Sequence, residues 1–222
     1  YPYLLFLISG GHTQYLTVKK LGDYKRLGTT IDDALGEAFD KTAKLLNLGY
    51  PGGPKIEELA KNGDENRFVL PKPILNRGGC NLSFAGLKTA ILRVKESIKT
   101  NKDKNDLAAS FQKTVLDILY KKTKKAFEQH LELYPKNKTF VVAGGVAANK
   151  QIRTTLKRLC QEEKFKVFFP DLKLCTDNAA MIALAGLERY KRKKFDKHNF
   201  KANPRWQLDI KAKFLKGAGV KI

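Results

Sequence analysis

The sequence predicts an α/β fold in which helices flank a mixed sheet. Two short apolar runs, at residues 3–8 and 138–143, are expected to be buried strands, and each stops at a Gly-Gly pair. Alternating patterns at 14–19 and 24–27 follow the first run, which predicts a hairpin with a third short strand. A helical pattern follows the second run. Strands and helices in this arrangement predict a sheet with packed helices.

Helical spacing of apolar residues predicts the helices of this fold. They are expected at about 31–47, 55–62, 87–99, 107–133 and 149–161, with a last helix that opens at Asp177-Asn178. A short strand is expected at 167–169. Residues 63–82 contain several Pro and Gly and are predicted as a loop, and residues 100–105 as a polar connector.

The large positive net charge is the most informative property of the composition. Its 222 residues include 43 Lys and Arg against 22 Asp and Glu, a net charge of +21. This excess favours a polyanionic partner such as nucleic acid, because neutralised phosphates release counterions. The alternative is a Lys-rich bias of the source genome, and charge by itself leaves both interpretations open.

The cysteines indicate a reducing compartment. Cys80, Cys160 and Cys175 are odd in number and widely spaced, which predicts free thiols in a cytoplasmic protein. No apolar run reaches membrane-spanning length, so no membrane partner is expected. The chain starts without Met, and we expect it to be the remainder of a longer protein.

The Gly-containing loop Ser9–Thr13 joins two predicted strands. That position excludes the Rossmann fingerprint and the Walker A loop, because both open a helix. A hairpin loop that grips phosphate is typical of the superfold of actin, sugar kinases and Hsp70. An ordinary hairpin turn is the alternative.

Acidic residues follow in the first predicted helix, where Asp33, Glu37, Asp40 and Lys44 would share one face. A carboxylate such as Asp40 can accept a hydrogen bond from a ribose hydroxyl or an adenine amino group. The alternative is a solvated face of ion pairs. Gly36 argues against it, because glycine weakens a helix and indicates close backbone approach.

Three further positions allow two interpretations each. Gly53 opens a helix, where its N–H could meet an adenosine or form a plain entry turn. Asn149 could cap a helix or contact a base or ribose. Asp177 could cap a helix or bind a divalent ion. The lysines at 121–125 could form an outer helix face or, with Lys157 and Arg158, an RNA-binding stripe.

Taken together, these motifs resemble the tRNA N6-adenosine threonylcarbamoyltransferase family over about residues 3–206. They are Ile8–Gln14, Ile31–Ala34 with Gly36–Lys41, Tyr50–Pro54, Gly86–Thr89, Ala143–Gly145 with Ala148-Asn149, and Cys175–Asn178. The match corresponds to roughly the C-terminal two thirds of a family member.

The resemblance implies the actin-like, ribonuclease H-like fold with most of the first lobe outside the chain. It implies transfer of threonylcarbamoyl from threonylcarbamoyl-adenylate to N6 of the tRNA adenosine beside the anticodon. The implied adenylate-binding residues are Leu7, Ile8, Ser9, Gly10, Gly11, Asp40, Gly53 and Asn149, with Glu57 a weaker candidate. The implied metal, iron or zinc, has Asp177 as a ligand. A paralogous partner subunit and an ATPase subunit are also implied.

The resemblance divides the chain into a second actin-like lobe at 1–170, with the adenylate-binding loops, and a segment at 171–222 that returns to the first lobe. The family's His-x-x-x-His metal motif does not occur in the sequence. No residue is expected to act as a nucleophile. Three alternatives remain: a non-catalytic nucleotide-binding scaffold subunit, a sugar kinase of the same superfold, and an inactive fragment.

Overall fold

A computed structural model describes residues 1–202 and 206–213 of the chain. The strands are β1 (Tyr3–Ile8), β2 (Thr13–Lys20), β3 (Asp23–Thr29), β4 (Thr139–Ala143) and β5 (Lys166–Phe168). The helices are α1 (Leu35–Leu45), α2 (Gly52–Ala60), α3 (Ala85–Lys95), α4 (Asn101–Leu133), α5 (Lys150–Glu162) and α6 (Ala179–Lys191). In the described part, no helix combines the length and apolar character needed to cross a bilayer.

The five strands form one mixed sheet in the order β3-β2-β1-β4-β5. Strands β1, β2 and β3 are antiparallel neighbours, whereas β4 runs parallel to β1 and to β5. The predicted mixed sheet with flanking helices is therefore confirmed. Because β1 and β4 are parallel and adjacent, the Gly-Gly loops that follow them lie side by side at one edge of the sheet.

The long helix α4 closes the core against the sheet. Its Phe127 is buried and packs edge-on against Phe140 of β4, with ring centroids 5.0 Å apart. Polar contacts accompany this packing: the hydroxyl groups of Tyr15 and Thr123 lie 2.8 Å apart in the buried interface. Burial of such pairs requires that each polar group finds a partner. The resulting lobe gives the Gly-Gly loops a rigid support.

Helix α1 begins at Leu35, four residues later than predicted. The buried hydroxyl of Thr13 accepts the Leu35 N–H at 2.8 Å and so caps α1 from strand β2. The carboxylate of Asp32, predicted in the first turn of this helix, instead accepts the N–H groups of Phe84 and Ala85 at 2.7 and 3.2 Å. Asp32 therefore caps the start of α3, a helix about fifty residues further along the chain.

The predicted connector at 100–105 is wrong, because α4 begins at Asn101. Thr100 is its N-cap, and its hydroxyl accepts the Asp103 N–H at 3.1 Å while the Asp103 carboxylate accepts the Thr100 N–H at 2.8 Å. This capping box satisfies two groups that a helix start otherwise leaves unpaired. Polar residues that were predicted to separate two helices therefore start one.

The C-terminal part is the most exposed. None of the residues of α6 is buried, and Ile182 and Leu184 are 65% and 60% exposed. Further along, the Asp209 carboxylate accepts the Arg26 N–H of β3 at 2.8 Å. The division of the chain at residue 170 stays a prediction. Within the predicted C-terminal segment 171–222, residues 203–205 and 214–222 lie outside the described residues.

Candidate nucleotide-binding site

A cavity of about 320 Å³ lies at the sheet edge where β1 and β4 end. Four of the predicted binding residues, Gly10, Asp40, Gly53 and Asn149, line it together with Glu57. The other lining residues are Gly36, Phe39, Tyr50, Pro51, Pro54, Gly145, Val146, Ala148 and Thr176. Residues distributed over more than 160 positions of the chain therefore meet at one concave site.

The remaining predicted residues, Leu7, Ile8, Ser9 and Gly11, do not line this cavity. Leu7 and Ile8 belong to β1, and the Ile8 side chain is fully buried in the core. The Ser9 hydroxyl accepts the N–H groups of Gly11 and His12 at 3.3 and 3.0 Å. The Gly11 N–H is thereby engaged within the loop. Ser9 and its neighbours shape the hairpin that presents Gly10 to the cavity.

Two glycines allow the loops around the cavity to approach closely. A Cβ atom on Gly36 would stand 2.8 Å from the backbone N of Gly10, and one on Gly144 would stand 2.2 Å from the carbonyl oxygen of Ile8. Gly144 also has a φ of +106°, which disfavours other residues. The close approach expected of Gly36 is confirmed, because this glycine allows α1 to pack directly against the hairpin loop.

Two carboxylates connect the three helices around the cavity. Oδ1 of Asp40, on α1, accepts the Gly52 N–H at the start of α2 at 2.8 Å. Oε1 of Glu57, on α2, accepts the Lys150 N–H at the start of α5 at 2.7 Å. Among the described hydrogen bonds the second oxygen of each carboxylate has no donor. Each side chain can therefore stabilise a helix start and still accept a ligand hydroxyl.

Asn149 is the N-cap of α5, as one of its two interpretations predicted. Its Oδ1 accepts the Ile152 N–H at 2.9 Å, and its Nδ2 donates to Oε1 of the Gln112 side chain at 3.1 Å. These bonds hold the amide in the cavity wall, with only 8% of the residue exposed. Gly53 also lines the cavity, in an open setting, because a Cβ atom added there would meet nothing within 4 Å.

The chemistry of the lining suits a nucleoside. Phe39, Tyr50 and Val146 provide apolar surface for a base, and the two carboxylates provide acceptors for ribose hydroxyls. Among the described residues, the lining includes no lysine or arginine. In the described hydrogen bonds, the backbone N–H groups of Gly10 and Gly53 have no acceptor, so they are available to an anionic group.

The ion pairs on α1 fit the solvated-face alternative only in part, because Glu37 and Lys41 pair whereas Asp40 has no described ion pair. Lys41 pairs with Asp33 at 2.7 Å and with Glu37 at 2.8 Å. Burial lowers the pKa of Lys41, but its hydrogen bonds to Asp33 and Glu37 outweigh this and raise it. Asp33 precedes the helix, so the expected four-residue face does not form. No described ion pair involves Asp40, which leaves its charge available to the cavity.

Asp177 is not the cap of α6, because Asn178 occupies that position and accepts the Met181 N–H at 3.0 Å. Asp177 is exposed and takes part in none of the described hydrogen bonds or ion pairs. Within 1–202 and 206–213, no cluster of three or more His, Cys, Asp or Glu side chains could hold a metal. The unpaired carboxylate of Asp177 is suited to bind a metal, but the described residues do not form a complete metal site.

The lysines at 121–125 do not form a single outer face. Lys122 is buried, donates to the carbonyl groups of Arg77 and Gly79 at 2.9 and 3.2 Å, and has its pKa lowered by burial. Lys121 and Arg158 do line one groove of about 550 Å³. Glu162 pairs with Arg158 at 3.8 Å, and Glu163 pairs with the nearby Lys124 at 2.6 Å.

Sequence reasoning missed Thr176 and the turn Gly145–Ala148 as parts of the cavity wall. Thr176 directly precedes Asp177, so the motif that contains both could have indicated it. The turn begins at the second glycine of the pair Gly144-Gly145, and its Val146 and Ala148 carry no polar side-chain group that would indicate a binding role. Their place in the wall results from the parallel pairing of β1 with β4.

The order and directions of the strands define an α/β lobe of the actin-like, ribonuclease H-like class, with the cavity where β1 and β4 end. A model of the family described as tRNA N6-adenosine threonylcarbamoyltransferase matches residues 1–184. The chain therefore belongs to the tRNA N6-adenosine threonylcarbamoyltransferase family.

Curated relatives of this name include proteins from Pelagibacter ubique, 64% identical over 223 residues, and Ruegeria, 51% identical over 227 residues. A Rickettsia rickettsii relative is 52% identical over 94% of the chain. The chain spans 62% of the length of these relatives. Among solved structures, it is similar to the activator of 2-hydroxyisocaproyl-CoA dehydratase from Clostridium difficile, with a TM-score of 0.45 and 14% identity over 90% of this chain and 65% of that one.

Proposed function

We propose that the chain is the adenylate-binding part of an enzyme that transfers threonylcarbamoyl from threonylcarbamoyl-adenylate to N6 of the tRNA adenosine beside the anticodon. The observation that carries this proposal is the cavity itself. Five of the six motifs that carry the family resemblance contribute residues to it, and its wall combines apolar surface, two carboxylates and free backbone N–H groups.

In this proposal the wall holds the adenosine of the donor. The free oxygens of Asp40 and Glu57 accept hydrogen bonds from the ribose hydroxyls, and the base lies against Phe39 and Tyr50. The phosphate faces the hairpin loop, where the Gly10 N–H donates to it. The residues of this chain thus act by positioning: they fix the acyl donor so that the amine of the acceptor base can reach it.

A metal, iron or zinc, completes the proposed site. Asp177 would be one of its ligands, since its carboxylate is exposed and without a partner in the described contacts. When bound, such an ion acts as a Lewis acid toward a carbonyl oxygen. The other ligands would come from outside the described residues.

The RNA substrate has a candidate contact surface in the basic segment 189–201. This segment contains seven lysines and arginines against one aspartate. Its aromatic residues Tyr190, Phe195 and Phe200 are 68%, 70% and 78% exposed. Cations interspersed with exposed aromatic rings suit single-stranded RNA, because phosphates pair with the cations and unstacked bases pack on the rings.

Transfer of a labelled threonylcarbamoyl group from its adenylate to unmodified tRNA tests this function. The assay is run with the chain alone and with the N-terminal segment of the Pelagibacter relative supplied in trans. Transfer in either condition supports the proposal. Adenylate binding without transfer in both would make the chain a nucleotide-binding scaffold subunit, and ATP-dependent phosphorylation of a sugar would make it a kinase.

The proposed tRNA substrate places the protein in the cytoplasm. The family resemblance also suggests a paralogous partner subunit and an ATPase subunit. Exposed apolar residues of α6, such as Ile182 and Leu184, are compatible with contacts to further protein. Co-purification of the chain with candidate subunits tests this part of the proposal.

A further inference from the structure

Arg153 joins two segments of the chain with one side chain. It lies in α5, and its Nε donates to the carbonyl oxygen of Ala147 at 2.5 Å. Its Nη2 donates to the carbonyl oxygen of Pro170 at 2.8 Å and to Sγ of Cys175 at 3.3 Å. The guanidinium also lies over the ring of Phe169, 5.0 Å from its centroid.

These segments form two parts of the candidate site. Ala147 belongs to the turn Gly145–Ala148 in the cavity wall. Cys175 directly precedes Thr176, which lines the cavity, and Asp177. The two parts adjoin, since a Cβ atom on Gly145 would stand 3.9 Å from Cγ2 of Thr176. Arg153 therefore contacts both the cavity wall and the segment that carries Asp177, close to where the two adjoin.

The hydrogen bonds of Arg153 join the segment at residues 170–178 to the rest of the lobe. In the described part of the chain, the other hydrogen bonds of residues 170–178 stay within the segment or go to the first turn of α6. The helix that follows has no buried residue. Apart from the burial of Cys175, little else holds Thr176 and Asp177 in place.

We infer that Arg153 is a positioning residue, which sets Thr176 and Asp177 against the wall of the nucleotide cavity. It acts through Ala147 on one side and through Pro170 and Cys175 on the other, and it does not itself line the cavity. The expected effect of Arg153 on transfer rests on the proposed function, whereas its effect on the position of the segment does not.

The geometry requires arginine in particular. A guanidinium presents several N–H groups in a rigid plane and can reach three acceptors at once, whereas an ammonium group is a single point charge on a flexible stem. We therefore expect Arg153→Lys to behave like Arg153→Ala. If Arg153 instead served only as a cation for RNA, lysine would preserve its role.

The buried thiols give a direct test, because the chain has three of them. Alkylation by iodoacetamide, mapped by mass spectrometry, is compared in the parent chain, Arg153→Ala and Arg153→Lys. We expect Cys175 to react at least about tenfold faster in both variants, because the segment opens locally. Cys80 and Cys160 serve as internal controls, since burial raises the pKa of each to about 12 and neither lies in the segment that Arg153 holds.

The matched control variant is Arg158→Ala, on the same helix, whose side chain contacts Glu162 and Tyr120 rather than the segment. We expect it to leave Cys175 protected. Unchanged protection of Cys175 in the Arg153 variants would overturn the inference. Equal labelling of all three cysteines would also overturn it, because it would show global destabilisation.

The transfer assay supplies the functional readout. We expect both Arg153 variants to lose about a hundredfold in kcat, the loss that a small misplacement near a reaction can cause, with a smaller rise in KM for the adenylate because Thr176 lines its cavity. A rise in KM with unchanged kcat would contradict positioning of the Asp177 segment. Absence of transfer by the parent chain would refute the proposed function and leave the labelling result intact.

Discussion

At the scale of single residues, the site depends on side chains that serve the fold and the ligand together. Asp40 is the clearest case, because one of its oxygens accepts the Gly52 N–H at 2.8 Å and the other has no donor in the described bonds. The same division holds for Glu57 and the start of α5. Substitutions at such positions have to separate the two roles.

Asp40→Asn separates them. The amide oxygen of asparagine can still accept the Gly52 N–H, so we expect the free energy of unfolding to change little. The charged acceptor for the ribose is lost, which should weaken binding of AMP by about tenfold or more, since hydrogen bonds to charged groups contribute about 1.5–3 kcal/mol. Isothermal titration calorimetry measures this, with Glu37→Gln as the control. Equal AMP affinity in Asp40→Asn and the parent would contradict the role of Asp40.

Gly36→Ala tests the close approach of α1 to the hairpin loop. The added Cβ would stand 2.8 Å from the Gly10 backbone, which has to move, so we expect weaker AMP binding and a lower melting temperature. Gly186→Ala, in α6, is the control because nothing lies within 4 Å of its Cβ. Alanine there should be neutral or stabilise the helix by up to about 1 kcal/mol. If both variants bind AMP like the parent, the contact does not shape the site.

At the scale of secondary-structure elements, the helices around the cavity are started by side chains from other elements. Thr13 of β2 caps α1, Asp40 of α1 caps α2, and Glu57 of α2 bonds the start of α5. Each of these hydrogen bonds therefore links two elements of the cavity wall. The basic segment 189–201 lacks such coupling in the described contacts and presents its cations to solvent.

Neutralising lysines of that segment tests its contact with RNA. We expect Lys193→Gln, Lys194→Gln and Lys197→Gln in combination to weaken tRNA binding and to reduce the slope of log K against log salt by about 2, since each phosphate contact on a single strand contributes about 0.7. Filter binding at several salt concentrations measures the slope.

The control for this experiment is an equal change of charge elsewhere. The matched set consists of Lys88, Lys95 and Lys99, each changed to Gln. These residues lie in and just after α3, away from the basic segment in the sequence. The same reduction of slope in both sets would indicate a general effect of net charge rather than a specific surface.

At the scale of the whole molecule, the packing of α4 on the sheet makes stability depend on pH. His130 of α4 is fully buried, its Nδ1 lies 3.0 Å from the Thr17 hydroxyl, and its Nε2 has no partner in the described structure. Burial lowers the pKa of His130 in the folded chain. The unfolded chain therefore takes up this proton at a higher pH than the folded one does.

The free energy of unfolding should accordingly be undiminished above about pH 6.5, the ordinary value for histidine, and fall as the pH drops below it. Urea denaturation between about pH 7.5 and 5.5 measures this decrease. The variant His130→Gln should show a flatter profile across the same range. A parent chain whose stability stays constant or rises on acidification would contradict the prediction.

The sequence by itself determined the features that depend on neighbouring residues. The strands β1, β2 and β4 and the Gly-Gly loops that end two of them follow from patterns within a few positions. The motifs also determined the family, because they match in order along the chain. Even the missed start of α4 had a local signal, since Thr100 and Asp103 are spaced as a capping box.

Only the tertiary structure decided which of these local features work together. Asp32 caps α3, Lys122 is buried against the carbonyl groups of a distant loop, and Arg153 joins the cavity wall to the segment that carries Asp177. Asp32 and Phe84 are 52 positions apart, Lys122 and Arg77 are 45 apart, and Arg153 and Pro170 are 17 apart. A hydrogen bond between such residues forms only after the chain has folded, so no pattern of adjacent residues can reveal it.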